Sequence, residues 1–362
     1  EEFVELGRMN RDDRNEKFSM SYLATHLSQE INAVSKLHGE VTREMFAPLW
    51  KGYYPDELHV GYVTNGVHYK TWTAEAWQIL YSRTFGEGFL NEQSNEKYWH
   101  KIHDVSDHEI WSIKNDQRSK LFSYMKDRFQ KNSIIRHEPP KQVLNVLSKI
   151  DPTALTIGFA RRFATYKRAH LLLQDPERLS AILNNPHRPV QIIFAGTAHP
   201  QDDEGKKTIQ RLMAFVRRPE IRQRAVFIEG YDMALARILV QGADVWLNTP
   251  RRPFEACGTS EMKAAINGVL NLSILDGWWC EACSPERGWA IGRGEEYVDT
   301  AYQDATESQA LYNVLENEVI PCFYEAPRGE LPVRWVKMMK SSMKMGMETF
   351  CSLRMLNDYE RL

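Results

Sequence analysis

Residues 151–275 predict an α/β fold built on a doubly wound parallel sheet, and three observations carry that expectation. Short apolar runs recur at 154–160 (ALTIGFA), 190–196 (VQIIFAG), 224–230 (RAVFIEG), 243–248 (ADVWLN) and 269–275 (VLNLSIL). Each has the length of a strand covered on both faces. Amphipathic stretches separate them, among them YKRAHLLLQDPERLSAILNN, DEGKKTIQRLMAFVRR and DMALARILVQG. Strands alternating with helices read as parallel β with right-handed crossovers. Finally, Gly158, Gly196, Gly230 and Gly277 fall at or near predicted strand ends, where sheets of this kind meet ligands.

The other elements follow in chain order. YLATHLSQEINAVSKLHGEVTREMFAPLW reads as helical up to about His38, and HVGYVTNGVHYKTW (59–72) as a strand and turn. Residues 106–132 predict a long polar helix, with Ser106 or Asp107 as N-cap. RHEPPKQ (136–142) is a loop, because its Pro-Pro pair cannot continue a helix. PVRWVKMMKSSMKMGMETFCSLRMLNDYERL reads as one long helix, its Met cluster (338–347) forming the buried face. Three units result: 1–72, 73–330 and a C-terminal helix, 331–362.

Composition narrows the function classes. The formal net charge of −2 supplies no bulk attraction to nucleic acid or to an anionic membrane. No apolar run reaches the length of a membrane span. Five cysteines make an odd set in a chain of 362 residues, which fits a reducing, cytoplasmic compartment better than a disulfide framework. The chain opens on Glu1 in mid-pattern, so a fragment of a longer protein is expected.

Two stretches carry chemistry. In GFARRFATYKRA (158–169), Arg161, Arg162, Lys167 and Arg168 cluster where a strand ends and a helix begins. Such a cluster is an anion site or an ordinary solvated basic turn. In PFEACGTSEMKAAING (253–268), Glu255 precedes a turn at Gly258, Thr259 or Ser260 caps the next helix, and Lys263 lies about one turn inside it. A carboxylate beside free backbone N–H groups suits a sugar's hydroxyls. A lysine in an apolar setting loses part of its affinity for the proton and condenses readily with an aldehyde. The ordinary alternative is a lysine snorkelling from a buried helix. CEAC (280–283) is half a tetrahedral zinc site at most, and no metal is assigned. HGE (38–40) reads as structural or cleft-lining, and GRGEE (292–296) is too weak a pattern for a nucleotide.

RFATYKRAHLLL, IIFAGTAHP, EACGTSEMKAAINGVLNLSILDGWW and VTNGVHYKTW together resemble the α-glucan (glycogen, starch, maltodextrin) phosphorylases. GADVWLNTPRRPFEACGTS, DGWW and GWAIG are most similar to their short bacterial and archaeal branch. The resemblance runs in order from about residue 20 to 325. It implies a GT-B fold, two Rossmann-like domains facing across a cleft, with this chain supplying the C-terminal one and the tail end of an incomplete N-terminal, glucan-binding one. It implies pyridoxal 5′-phosphate held as a Schiff base by Lys263, with Thr259, Tyr231, Arg161 and Trp72 around it. Glu255 would bind the glucosyl hydroxyls, helped by the backbone N–H groups of Cys257 and Gly258 and by Asn65. Arg162 and Lys167 would bind the substrate phosphate.

The implied reaction transfers glucosyl units between α-1,4-glucan and inorganic phosphate, giving glucose 1-phosphate. The cofactor phosphate relays a proton and the glucosyl group becomes oxocarbenium-like. Two phosphates must then lie close together, which is why cations are wanted. A homo-oligomer is a further implication. Thr197 stands where many relatives have lysine, Glu261 where glycine or asparagine is usual, Asp232 where long-chain animal relatives have arginine, and Cys257 where serine is usual. Two other readings stay open: a nucleotide-sugar glucosyltransferase resembling glycogen synthase, which would not need Lys263, and an inactive glucan-binding remnant.

Overall fold

A computed structural model describes residues 2–135, 151–221, 224–327 and 330–362. The Pro-Pro loop expected at 136–142 lies outside the described residues. Eight strands are described: β1 (Ile31–Ala33), β2 (Val60–Tyr62), β3 (Leu155–Arg162), β4 (Val190–Thr197), β5 (Ala225–Ile228), β6 (Val245–Asn248), β7 (Leu270–Ile274) and β8 (Gly288–Ile291). The last six form one sheet in the order β5-β4-β3-β6-β7-β8, and every neighbouring pair is parallel. Counted within the sheet this is 3-2-1-4-5-6, the Rossmann order. The chain builds outward from β3 to β5, returns to the far side of β3, and builds outward again. The two directions part between β3 and β6, and sheets of this order receive ligands in the crevice outside the carboxyl ends at that point.

The predicted strands form because both faces are covered. β3 and β4 pair along their whole length, from Leu155↔Val190 to Arg162↔Thr197. Every residue of each is buried except the last, so Arg162 and Thr197 emerge together at the crevice. Gly158 departs from the expected pattern, lying mid-strand opposite Ile193 and Trp246. A Cβ there would stand 3.1 Å from both the Ala243 Cβ and the Trp246 ring, so close packing is its role. The sheet's final strand, β8, was not anticipated, since GWAI is only four residues long.

Two predicted helices break. The expected helix through His38 is Met20–Leu27, then β1, then Lys36–Phe46. The Ser35 hydroxyl accepts from the His38 N–H at 3.2 Å and starts the second helix afresh, while β1 is captured by β2 in register Ile31↔Val60. The C-terminal helix divides into Val333–Glu348 and Ser352–Arg361. Between them Cys351 bridges to Val67: the Val67 N–H donates to Phe350 O at 2.9 Å and Ser352 N–H to Val67 O at 3.0 Å. A tertiary contact thus overrides local helix preference. As expected, Met338, Met339, Met343, Met345 and Met347 are buried.

The long polar helix is present as Asp107–Ile135, with the Ser106 carbonyl accepting from Glu109 and Ile110 N–H groups. Its Arg118 pairs with buried Asp244 at 2.6 Å, just ahead of β6. The helix Glu75–Phe85, whose aromatic pattern escaped the sequence reading, packs Tyr81 and Phe85 against Phe89 and Trp99 with centroids 4.9–6.3 Å apart. No helix among the described residues is long and apolar enough to cross a membrane.

Candidate active site

Lys263 sits on the short helix Thr259–Ala265 that follows β6. The expected cap is corrected. Gly258 occupies the N-cap position at φ 100°, and no side chain caps the helix. A Cβ at Gly258 would both strain the backbone and strike Glu261 Oε2 at 2.4 Å, so only glycine suits this turn. Thr259 becomes the first helical residue, while the Ser260 hydroxyl is taken by the Trp246 indole N–H at 3.2 Å.

The Lys263 amine lies 3.8 Å from the centroid of the Trp72 ring. A ring face favours the ammonium form, but burial opposes it, and burial wins: the amine's pKa is lowered. Asn267 fixes this pairing. Its amide donates to Lys263 O at 2.8 Å and to Trp72 O at 2.9 Å and accepts from Ala74 N–H at 2.8 Å, so one buried side chain ties the lysine's helix to the tryptophan's turn. Sequence reasoning passed over Asn267, although it stands four residues beyond the lysine on the same helical face.

At the end of β3 the basic cluster divides into three fates. Arg161 turns inward and is buried. Its guanidinium donates to Asn248 Oδ1 and to Leu247 O at 3.0 Å and stacks 4.7 Å from the Phe159 ring. Burial works against its charge, with Glu261 and Glu255 restoring it. Arg162 is exposed at the strand's carboxyl end. Arg168 is removed from the anion set: it is buried at φ 47°, donates to Thr249 O and Pro250 O, and pairs with Asp304 at 3.0 Å and Glu307 at 2.5 Å. Its charge is already neutralised, so it braces the loop after β6.

Lys167 forms an ion pair with Glu255, uniting the residue expected to take phosphate with the one expected to take sugar. Both are mostly buried, with side-chain exposures of 15% and 9%. Burial and Arg161 lower the Lys167 pKa against the pull of Glu255. The Glu255 N–H donates to Asp276 Oδ2 at 3.0 Å, and Asp276 also accepts from Gly277 N–H at 2.8 Å. Burial nevertheless pushes the Asp276 carboxyl up to about 7. Asp276, in the sequence LDG, was not singled out; an acid at a strand's carboxyl end was the available signal.

Cys257 is buried, which pushes its thiol up to about 12, with Asn65 close enough to act against that rise, while the Asn65 N–H itself donates to Val34 O at 3.0 Å. The Asn65 loop is anchored to this site by its surroundings: Ser35 Oγ donates to Ala256 O at 2.7 Å and Thr64 Oγ1 to Glu281 at 2.8 Å. Arg354 closes it from the C-terminal helix, donating to Thr64 O at 2.5 Å and Asn65 O at 3.1 Å. Tyr231 is half-buried close enough for the Arg161 charge to act on it, though burial raises its hydroxyl.

The remaining sequence features take local roles. Asp232 caps the helix Met233–Gly242 and pairs with Arg128 at 3.1 Å. Cys280 accepts from Arg252 at 3.2 Å, and among the described residues no cluster of three His, Cys, Asp or Glu side chains is arranged to hold a metal. Glu261 turns into the interior, where its carboxyl accepts from the Asn248 amide at 2.8 Å.

The sequence profile of the carbohydrate phosphorylases (Phosphorylase) matches residues 4–325. Glycogen phosphorylase of Aquifex aeolicus is 44% identical over 98% of the chain and 50% of its own length. Glycogen phosphorylase of Mycobacterium tuberculosis is 43% identical over 97% of the chain and 40% of its own length. Maltodextrin phosphorylase of Thermococcus litoralis is 43% identical over 99% and 41%. The chain therefore spans half or less of the length of these relatives. The profile match over most of the chain, on a sheet of Rossmann order, decides the assignment: the chain belongs to the carbohydrate phosphorylase family.

Proposed function

We propose that this chain is the C-terminal catalytic portion (73–330, with 331–362 as its closing segment) of an α-glucan phosphorylase of GT-B type. It transfers glucosyl units between α-1,4-glucan and inorganic phosphate to give glucose 1-phosphate. The observation that carries this reading is the Lys263 amine held against Trp72 on the helix after β6, with Arg161, Lys167 and Glu255 gathered at the neighbouring strand ends.

Two features support a fit to pyridoxal 5′-phosphate. The amine is biased by burial toward the neutral, nucleophilic form and faces a flat aromatic surface. Buried Arg161 keeps its Nε atom without a partner, a cation not fully satisfied by the protein around it. Lys263 would hold the aldehyde carbon, Trp72 and Tyr231 would pack beside the ring, and Arg161 and Thr259 would face the phosphate. The bound cofactor would supply a phosphate able to pass a proton to the substrate phosphate.

The chain's own groups do the rest. Exposed Arg162 and mostly buried Lys167 would draw the substrate phosphate to the crevice. Glu255, its backbone pinned by Asp276, would accept from glucosyl hydroxyls, with Asn65 and the N–H groups of Cys257 and Gly258 lining the same turn. Cations at this spot offset repulsion between two phosphates, so no pair of glycosidase-like carboxyl groups is needed.

An absorbance spectrum tests the assignment. Chain incubated with pyridoxal 5′-phosphate should keep the cofactor's visible band through dialysis, and Lys263→Ala should lose it. A colourless wild-type protein that takes up a nucleotide sugar would overturn the reading in favour of a nucleotide-sugar transferase.

A further inference from the structure

Glu261 is the most deeply enclosed acid near the crevice, 1% exposed, and the reaction as proposed does not use it. Its surroundings form a chain of three side chains across three elements. Arg161, at the end of β3, can only donate, so the Asn248 amide at the end of β6 must turn its oxygen toward it. The amide nitrogen then faces the other way and donates to Glu261 Oε2 at 2.8 Å, on the helix of Lys263. The orientation of one amide therefore connects a guanidinium and a carboxyl that share no direct bond. Glu261 Oε1 is buried with no hydrogen bond drawn to it, and the Ser273 hydroxyl beside the carboxyl donates to Ile274 O at 2.9 Å while still favouring the ionised form, a pull that burial exceeds. A bare anionic oxygen enclosed this way costs more than a neutral one, so the enclosure favours a protonated acid.

We propose that Glu261 acts through Asn248 on Arg161 as a proton-controlled counter-charge, so that the anion subsite at the end of β3 grips a phosphate or sulfate group more tightly once Glu261 is protonated. Glu261 is a positioning residue here, since it meets the anion only through the other two. The inference deepens the proposed function and rests on it for the identity of the anion. It does not rest on it for the charge coupling.

The charges facing Glu261 are known from each packed element. Glu255 on the loop after β6 opposes its ionised form; Arg161 on β3, the Ser273 hydroxyl on β7 and Lys167 on the turn after β3 favour it. Cys257 on the same loop also senses Glu261, and its thiol stays protonated. Burial outweighs the cations and holds the Glu261 carboxyl up at about 7, which puts the switch inside the range where the protein can be handled. Asp276 titrates nearby, also at about 7. A comparison of wild type with Glu261→Gln removes that contribution, because Asp276 is present in both. Glutamine keeps an oxygen for the Asn248 amide and lacks the charge.

The probe is sulfate, which stays dianionic across the range, whereas a phosphate monoester changes charge near pH 6. Sulfate dissociation constants are measured by calorimetry at pH 5.5 and 8.5 on wild type and on Glu261→Gln, with circular dichroism confirming the fold. The wild type should bind sulfate about tenfold more tightly at pH 5.5 than at 8.5, the effect of one pKa unit of coupling. Glu261→Gln should bind tightly at both and change much less. Equal pH dependence in the two proteins overturns the inference, as does absence of sulfate binding at both pH values. Should Glu261→Gln not fold, Glu261→Asn carries the same expectation. Pyridoxal 5′-phosphate retention, read separately by absorbance, reports on the cofactor assignment: its failure with the sulfate pattern intact would leave the charge coupling standing and remove only the enzymology.

Discussion

At the scale of single residues, the site shows burial setting charge against chemistry. Glu261 also makes a stability prediction independent of any ligand. Its folded carboxyl, held up at about 7, lies above the ordinary value of 4.5, so between those two values the folded chain holds a proton that the unfolded chain has released. The favourable contribution of this group is complete below about pH 4.5 and is lost as pH rises through 7. Glu261→Gln should therefore gain stability over wild type by about 1–3 kcal/mol at pH 8 and almost nothing at pH 5, read by urea unfolding at both. A gain that is the same at both pH values would contradict a buried, titrating acid. Residue chemistry was also where the sequence was most partial. Lys263, Glu255 and Arg161 stood out through the family resemblance, with the basic cluster at 158–169 and the glycine turn at 258 as the local signals. Asn248, Asn267 and Asp276 did not, because a polar residue after an apolar run looks like the end of any strand. Arg168 misled for the opposite reason: its charge was visible, but its partners Asp304 and Glu307 lie more than a hundred residues away.

At the scale of elements, the helix Thr259–Ala265 is too short to place a side chain by its own propensity, since isolated helices of this length are not stable in water. Its orientation comes from its ends. Gly258 sets the entry, and Asn267, just past the last turn, holds the exit against Trp72 and Ala74. Asn267→Ala should leave Ala74 N–H without its partner in a fully buried place, while Trp72 O keeps the Gln241 amide at 3.2 Å, and should cost about 1–3 kcal/mol by chemical denaturation. It should also blunt the change in tryptophan fluorescence on cofactor addition, a readout that stability loss elsewhere would not move. The five core strands were legible as apolar runs because each is covered on both faces. The N-terminal β1 and the break at Cys351 were not, because each exists only through a partner distant in sequence: Val60 for Ile31 and Val67 for Cys351.

At the scale of the whole molecule, strand order explains why the candidate residues meet. β3 and β6 are far apart in the chain but adjacent in the sheet, and the carboxyl end of each with the segment after it carries half of the site: Arg161, Arg162 and Lys167 from one, Glu255, Gly258 and Lys263 from the other. The sequence shows alternation but not the reversal of direction that puts these two segments side by side. The first 72 residues contribute through contact with the loop after β6 and the short helix after β7, with the Ser35 hydroxyl on Ala256 O and the Thr64 hydroxyl on Glu281.

The pairing of Lys167 with Glu255 has a last consequence. While each occupies the other, these two charges cancel and neither is free for a guest, and whichever guest arrives first must separate them unaided. An anion that draws off the lysine leaves the carboxylate free to accept from a sugar, so the second arrival is spared that cost. Linkage makes the benefit mutual. Phosphate and a maltooligosaccharide should thus bind with synergy, each tightening the other's dissociation constant by the same factor of about five or more in paired calorimetric titrations. Lys167→Gln should abolish that mutual gain. If the two guests bind independently in the wild type, the bridge is broken in solution before either arrives.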